Sequence, residues 1–285
     1  MLFSRTFVCT LAGLSIAFPA LASDPDYVLV QSYDYASKDL EGRGSGSGSG
    51  RTAMAERVIE TREDGLVIEY SIPGDQDKIR GNAMWMYPAR VLVAPDGSKT
   101  LLNAGELKER NLAWRESAEW PPEVCGQWIF TWTAIQILCD PRKVIEEIEA
   151  TDMRPGNLAV GTTIALPQYG VELVLGEGEP DDRGMVLTAT GTVSSDFAKR
   201  QAAQAEVIAA KINGKELALE QALADAASIT ADGEVGVSFI IDENGSILKR
   251  EERYDITVTG EDNEGEHRTG RVTVFRVLYD DWLIG

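Results

Sequence analysis

The chain has 285 residues and a formal charge of −19, with 46 acidic against 27 basic residues. Such a balance argues against partners bound through clustered lysines and arginines, namely nucleic acids and anionic lipid headgroups. The length suits one large β domain or two small ones, and the apolar content of 44% is that of a globular chain.

Residues 1–22 have the pattern of a cleavable signal peptide. Arg5 supplies the basic start, Phe7 to Phe18 the apolar run, and Ala20 to Ala22 an A-x-A cleavage site. The apolar run is shorter than the roughly 20 residues of a spanning helix, which disfavours a membrane anchor. We therefore expect a mature chain of residues 23–285 in the periplasm or outside the cell, without a transmembrane segment. Loss of Arg5 changes the formal charge from −19 to −20.

Residues 28–36 predict the first strand, and a Gly/Ser stretch at 41–51 follows it. We interpret 41–51 as a flexible loop, because Gly/Ser-rich segments behave as mobile coil. The alternative is a glycine-rich strand, since alternating Gly and Ser also fits a period of two.

Hairpin patterns dominate the mature chain. Each consists of alternating apolar residues around a glycine-containing turn, as tight hairpins require. The predicted strand pairs are 55–62 with 66–72, 83–93 with 99–102, and 235–241 with 248–258, followed by a neighbouring strand at 271–279.

Four segments have helical patterns: 104–118, 141–150, 195–212 and 216–228. In the third, Ala198, Ala202, Ala205 and Ala209 form a seam of small residues. Together the elements predict an α+β fold, in which antiparallel hairpins form a curved sheet packed against three to four helices. This arrangement resembles the half-barrel of periplasmic lipoprotein carriers in compartment and hairpin pattern, and the resemblance implies no site residues.

Two cysteines remain after cleavage, Cys125 and Cys139. An oxidising compartment favours a disulfide between them. A single straight strand between them would instead hold them roughly 45 Å apart, at about 3.3 Å per residue. The pairing thus predicts a chain reversal between the two cysteines.

Catalytic motifs are absent from the sequence. The mature chain has one histidine, His267, in a polar segment that we interpret as a loop, and no G-x-S-x-G, P-loop or zinc spacing occurs. We expect no cofactor and no metal, and assign no catalytic residue. Abundant carboxylates leave open a hydrolase that acts on an envelope polymer through a Glu/Asp pair.

Aromatic residues are concentrated in one part of the sequence. Tryptophans can fill a core or line an adaptable apolar pocket. We take four as candidate ligand contacts, Trp85, Trp114, Trp128 and Trp132. The sequence therefore favours a non-catalytic envelope protein that binds an apolar small molecule or another envelope protein, with the hydrolase as the alternative.

Overall fold

A ten-stranded antiparallel sheet is the main element of the computed structural model. The structure describes residues 27–42, 44–74, 81–130, 134–153, 158–260, 264–279 and 282. The predicted signal peptide at 1–22 lies outside these residues. No helix in the described ranges is both long and apolar enough to cross a membrane.

The strands follow the order β10-β11-β12-β13-β14-β1-β2-β3-β4-β5 across the sheet. The first strand pairs with the last, from Tyr27 opposite Leu278 to Asp39 opposite Glu266, so the two ends of the fold meet at the centre of the sheet. The strands are β1 (Tyr27–Asp39), β2 (Ser45–Arg62), β3 (Gly65–Ser71), β4 (Ala89–Val93), β5 (Lys99–Leu101), β10 (Gly176–Glu177), β11 (Met185–Thr192), β12 (Thr230–Ile241), β13 (Ile247–Thr259) and β14 (Gly265–Leu278).

Two small hairpins, five α-helices and a short 3-10 helix (Pro122–Val124) complete the described fold. The hairpins pair β6 (Trp128–Phe130) with β7 (Ala134–Gln136), and β8 (Thr163–Leu166) with β9 (Val171–Val174). The helices are α1 (Ala83–Met86), α2 (Ala104–Ser117), α3 (Lys143–Thr151), α4 (Ser195–Ile212) and α5 (Leu219–Asp225). A large antiparallel sheet with helices packed on it agrees with the α+β prediction.

The core lies on the face of the sheet that carries Leu29 and Met54, which we call the helix face. Helices α2, α3 and α4 each contribute buried side chains to it, and the strands contribute alternate residues. Principal members are Leu29, Ile68, Val91, Phe239, Leu107, Ile148 and Phe197. Burial of one face of each strand explains why the hairpins were visible as alternating patterns in the sequence.

The opposite face of the sheet carries a second, smaller cluster. Val28 and Val30 of β1 are fully buried there against Phe275 and the C-terminal Trp282. The Arg51 guanidinium lies 4.8 Å from the Trp282 ring centroid. Phe275 and Trp282 thus cover part of the face opposite the helices.

The interpretation of 41–51 as a flexible loop is wrong for residues 45–51, which belong to β2. Gly48 and Gly50 pair with Tyr35 and Tyr33 of β1. A Cβ on either glycine would lie 2.6 and 2.3 Å from the tyrosine side chain opposite it, so the rings occupy the space that side chains would need. Aromatic packing over strand glycines stabilises an otherwise weak strand.

The predicted strand at 83–93 is also shorter than expected. Residues 83–86 form the short helix α1, and β4 begins only at Ala89. Pro88 lies between them and has no N–H to donate to a strand ladder. Trp85 and Met86 are buried by this helical turn instead of by a strand.

Cys125 and Cys139 lie at disulfide distance. The Cα atoms of Cys125 and Cys139 are 5.6 Å apart and their sulfurs are bonded. The chain reverses between them through the antiparallel pair β6 and β7, so the single straight strand is wrong. The reversal is held further by backbone hydrogen bonds from Gly126 to Ile137 and from Ile137 to Gln127.

Substitution of Gly233 in β12 tests how closely the neighbouring strand backbone packs against this glycine. Its φ is 141°, and a Cβ there would lie 2.1 Å from the backbone oxygen of Asp255. We expect Gly233→Ala to lower the free energy of unfolding by about 2–3 kcal/mol. The alanine would be strained at this positive φ, and its Cβ would also clash with the backbone of β13. Urea denaturation measures this loss. Gly245→Ala is the control, because φ is 82° and the space is open, and should cost about 1 kcal/mol. Equal losses in the two variants would contradict the steric argument.

Candidate functional site

A cavity of about 330 Å³ lies between α4 and strands β13 and β14, on the helix face. We call it the helix–sheet cavity. Aromatic and aliphatic side chains form most of its wall, and alanines of α4 form another part. The lining residues that the argument uses are Tyr169, Phe197, Ala202, Ala205, Tyr254 and Ile256.

The turn between β8 and β9 places Tyr169 at the centre of this region. Gly170 in that turn has a φ of 65°, and a Cβ there would lie 3.0 Å from the Arg200 guanidinium. Glycine therefore lets the turn approach α4 closely. The Tyr169 ring centroid lies 5.7 Å from that of Phe197 and 5.7 Å from that of Tyr254. Three tilted rings thus join the turn, the helix and the sheet.

The alanine seam of α4 leaves the space that forms the cavity. Ser194 caps the helix by accepting a hydrogen bond from the Phe197 backbone N–H. Ala198, Ala202 and Ala205 of the predicted seam then line the cavity. Their methyl groups cannot reach the strands as longer side chains would. The seam was visible in the sequence, although the cavity that it borders was not.

The phenols around the cavity are held in their neutral form. Burial is the main cause that raises the pKa of Tyr169 and also that of Tyr254. The charged group in the wall is Arg268, whose Nε donates to Glu266 at 2.7 Å. Gln201 adds an uncharged polar group. The arrangement suits a mainly apolar molecule that carries a polar group.

A second cavity, of about 440 Å³, lies on the other side of the β8–β9 turn. It shares Gln168 and Tyr169 with the helix–sheet cavity. Its wall contains the buried carboxylate of Glu252, which accepts a hydrogen bond from Gln168 Nε2 at 2.7 Å and is paired with Arg250. This cavity is therefore the more polar of the two.

A third depression, of about 850 Å³, lies at the ends of the strands. Turns form most of its rim, among them those at Gly65, Gly97 and Gly245. Met153 and Leu158 in its wall flank residues 154–157, which are outside the described ranges.

Among the predicted tryptophan contacts that the structure describes, none lines these cavities. Trp85 is 1% exposed in the main core. Trp114 is half-buried against that core and packs edge-on against Trp120, with ring centroids 5.1 Å apart. Trp128 is half-buried at the start of β6, and Trp132 lies outside the described residues. Their role as ligand contacts stays a prediction.

Sequence reasoning missed the tyrosines and Phe197. Tyr169 and Tyr254 are separated by more than 80 residues along the chain, and neither belongs to a run of aromatic residues. The alanine seam of α4 was the one feature of the sequence that indicated the cavity. The strands that face this seam could not be identified from the sequence, because their pairing is long-range.

His267 lies in β14 and not in a loop. Its side chain is 43% exposed, with Nδ1 3.3 Å from Thr257 Oγ1 and Nε2 3.6 Å from the Asp255 carboxylate. Within the described residues no three His, Cys, Asp or Glu side chains lie together as a metal site would need.

Comparisons with known proteins assign no family. No protein-family model and no curated protein sequence matches the chain. A comparison with solved structures returns a crystal structure of an inactive mutant of the CurJ dehydratase in complex with a compound. Its identity is 10%, over 90% of this chain and 78% of that chain, and its TM-score is 0.10. A score this low carries no argument about fold or activity.

Proposed function

We propose that this chain is an exported envelope protein that binds a small apolar molecule in the helix–sheet cavity and does not catalyse a reaction. The observation that carries the proposal is the cavity wall, where three aromatic rings meet aliphatic side chains of β13 and alanines of α4. Ligand sites are commonly lined in this way, with a few polar groups that fix orientation.

The size of the cavity limits the ligand. A volume of about 330 Å³ is near the lower end of the range for small-molecule sites. Arg268, Gln168 and Gln201 place polar groups in the wall, so a ligand that carries a polar group fits better than a pure hydrocarbon. The acidic surface of the protein disfavours a strongly anionic ligand.

Export is supported by the signal-peptide pattern and by the paired Cys125 and Cys139. Disulfides persist in oxidising compartments such as the periplasm and are rare in the cytosol. Amino-terminal sequencing of the exported product should begin at Ser23.

We further propose that the sheet bends over its helices. Strands β3 and β13 are separated by β14, β1 and β2, a distance of roughly 19 Å in a flat sheet. Leu66 of β3 and Ile247 of β13 nevertheless line the same depression. A bend towards the helix face would bring these strand ends together and enclose the cavity.

The alternative, a carboxylate-dependent hydrolase, gains no support from Glu252. That carboxylate accepts from Gln168 and is paired with Arg250, so its oxygens are already engaged. A general acid or base needs a proton position open to the substrate.

Filling the cavity tests the proposed function. Ala205 lines the cavity and is exposed, so Ala205→Phe should fold normally while its ring occupies ligand space. With Nile red as a neutral apolar probe, we expect the variant to bind at least tenfold more weakly, a loss of about 1.4 kcal/mol. Fluorescence titration measures the Kd.

Ala209→Phe is the matched control, because Ala209 is exposed on the same helix one turn later and does not line the cavity. Its affinity should equal that of the unaltered protein. Equal affinity in Ala205→Phe would contradict the cavity as the site. Trp128→Phe tests the prediction that the tryptophans contact the ligand. If only this variant lost affinity for Nile red, the binding site would lie at the tryptophans and not in the helix–sheet cavity.

A further inference from the structure

Within the described residues, about half of β2 is paired with a strand on one side only. The strand runs from Ser45 to Arg62, but β3 pairs with it only from Ala55 opposite Ser71 to Arg62 opposite Gly65. Residues 45–54 pair on their other side with β1. In the described part of the chain, no strand lies against their outer side. We call residues 45–54 the β2 edge.

Residues 45–50 of the β2 edge carry none of the features that usually protect a sheet edge, and the charged residue of the edge is Arg51, whose guanidinium lies over the Trp282 ring on the opposite face. Natural edges carry lysine, proline or a bulge, which prevents pairing with another chain. Residues 45–50 are alternating Ser and Gly, and the irregularity in β2 lies between Val58 and Glu60, within the part already paired with β3. Alternate N–H and C=O groups of the β2 edge therefore point outward in strand geometry. Such an edge can accept an extended peptide as an additional strand.

Two tyrosine rings border this edge on the helix face. Tyr33 and Tyr35 pack over Gly50 and Gly48 of β2, and their side chains remain 41% and 49% exposed. Glycine has no side chain to separate an added strand from these rings. Side chains of a new strand can therefore reach the rings, since diagonal neighbours across strands lie within reach of aromatic groups.

The charged residues near the β2 edge indicate which kind of partner strand would bind there. Asp39, Glu41, Glu264 and Glu266 line one depression together with Ser45, at the end of the β2 edge. Tyrosine faces attract lysine and arginine side chains. A second copy of this acidic chain would be repelled, so the charge complementarity favours a basic partner.

We propose that the β2 edge is a strand-addition site for an extended, lysine- or arginine-rich segment of a partner protein. Backbone hydrogen bonds would supply the register, and the tyrosines with the neighbouring carboxylates would select basic side chains. The inference stands apart from the ligand of the helix–sheet cavity, because the two sites use different residues.

Hydrogen exchange with short probe peptides tests the proposal on the unaltered mature protein. The probe is an eight-residue peptide of alternating valine and lysine. We expect a saturating concentration to slow amide exchange in residues 45–52 at least tenfold. A matched peptide with glutamate in place of lysine should not slow it, and neither should a lysine peptide whose alternate amides are N-methylated along one edge.

Tyr35→Ala tests the assigned face. We expect the valine–lysine peptide to bind it several-fold more weakly, whereas Tyr279→Ala, on the opposite face, should bind it as the unaltered protein does. The proposal would be overturned if the lysine peptide did not slow amide exchange in residues 45–52, or if the glutamate peptide slowed it equally. It would also be overturned if exchange there were already slow in the protein alone and became fast on dilution, because that would show a second copy of the chain at the edge.

Discussion

Replacement of Glu56 by glutamine should lower the free energy of unfolding by about 3–5 kcal/mol, as expected when one partner of a buried ion pair is removed. Glu56 of β2 is 2% exposed on the helix face, and its carboxylate lies 3.1 Å from Nη2 of Arg276 on β14. Arg276 is 13% exposed, with its guanidinium 4.8 Å from the Tyr27 ring centroid. Glu56→Gln would leave this cation buried without its counter-charge. Urea denaturation at neutral pH measures the loss.

Glu60 provides a control on the same strand. Its pair with Arg62 is exposed on both sides, at 52% and 40% of the side chains, and exposed pairs contribute at most about 1 kcal/mol. Glu60→Gln should therefore change stability little.

A double variant that removes both charges of the buried pair is a second control. Glu56→Gln combined with Arg276→Met removes both charges, and apolar replacement of a buried pair is often neutral or stabilising. The double variant should recover most of the stability. If Glu56→Gln cost no more than Glu60→Gln, the buried pair would not be a major contribution.

Local patterns were sufficient for most of the hairpins and helices. Helix α4 has the bounds expected from its alanine seam and from the Asn213-Gly214 end. The β2–β3 and β12–β13 turns also lie where their glycines predicted. These features are encoded within short stretches of chain, so one sequence reveals them.

Long-range pairing could not be predicted from the same patterns. The β1–β14 ladder joins residues that are more than 200 positions apart, and it places the first hairpin beside the last. The Gly/Ser stretch was misinterpreted for a related reason. Its glycines make a stable strand only because Tyr33 and Tyr35 lie opposite, and composition alone does not show the partner strand.

The candidate site depends on the same long-range information. Tryptophan-rich sequence directed attention to residues 85–132, where Trp85 fills the core. The cavity instead combines isolated aromatic residues from the β8–β9 turn, α4 and β13. Strands β8, β9, β10 and β11 were not predicted, because they are short or only weakly alternating.

Loss of the Cys125–Cys139 bond should lower the free energy of unfolding by roughly 3 kcal/mol, the value expected for closing a loop of about 15 residues. The bond closes a segment of 14 positions that contains β6 and β7. Its main effect is to restrict the unfolded chain, so the loss should appear with little change in the folded structure. The variant to measure carries serine at both positions, compared with the oxidised protein by urea denaturation.

Treatment with a reductant distinguishes the effect of losing the disulfide from the effect of the serine substitutions. The unaltered protein with dithiothreitol should lose the same stability as the serine variant, and the serine variant should not respond to dithiothreitol at all. Amide exchange should rise chiefly at residues 126–138, where two backbone hydrogen bonds between Gly126, Gln127 and Ile137 then hold the reversal without the covalent link. Unchanged stability on reduction, together with recovery of both cysteines as thiols in peptide mapping of exported protein, would show that the pair is not bonded. In that case the chain reversal between the cysteines would depend on the β6–β7 pairing and these hydrogen bonds alone.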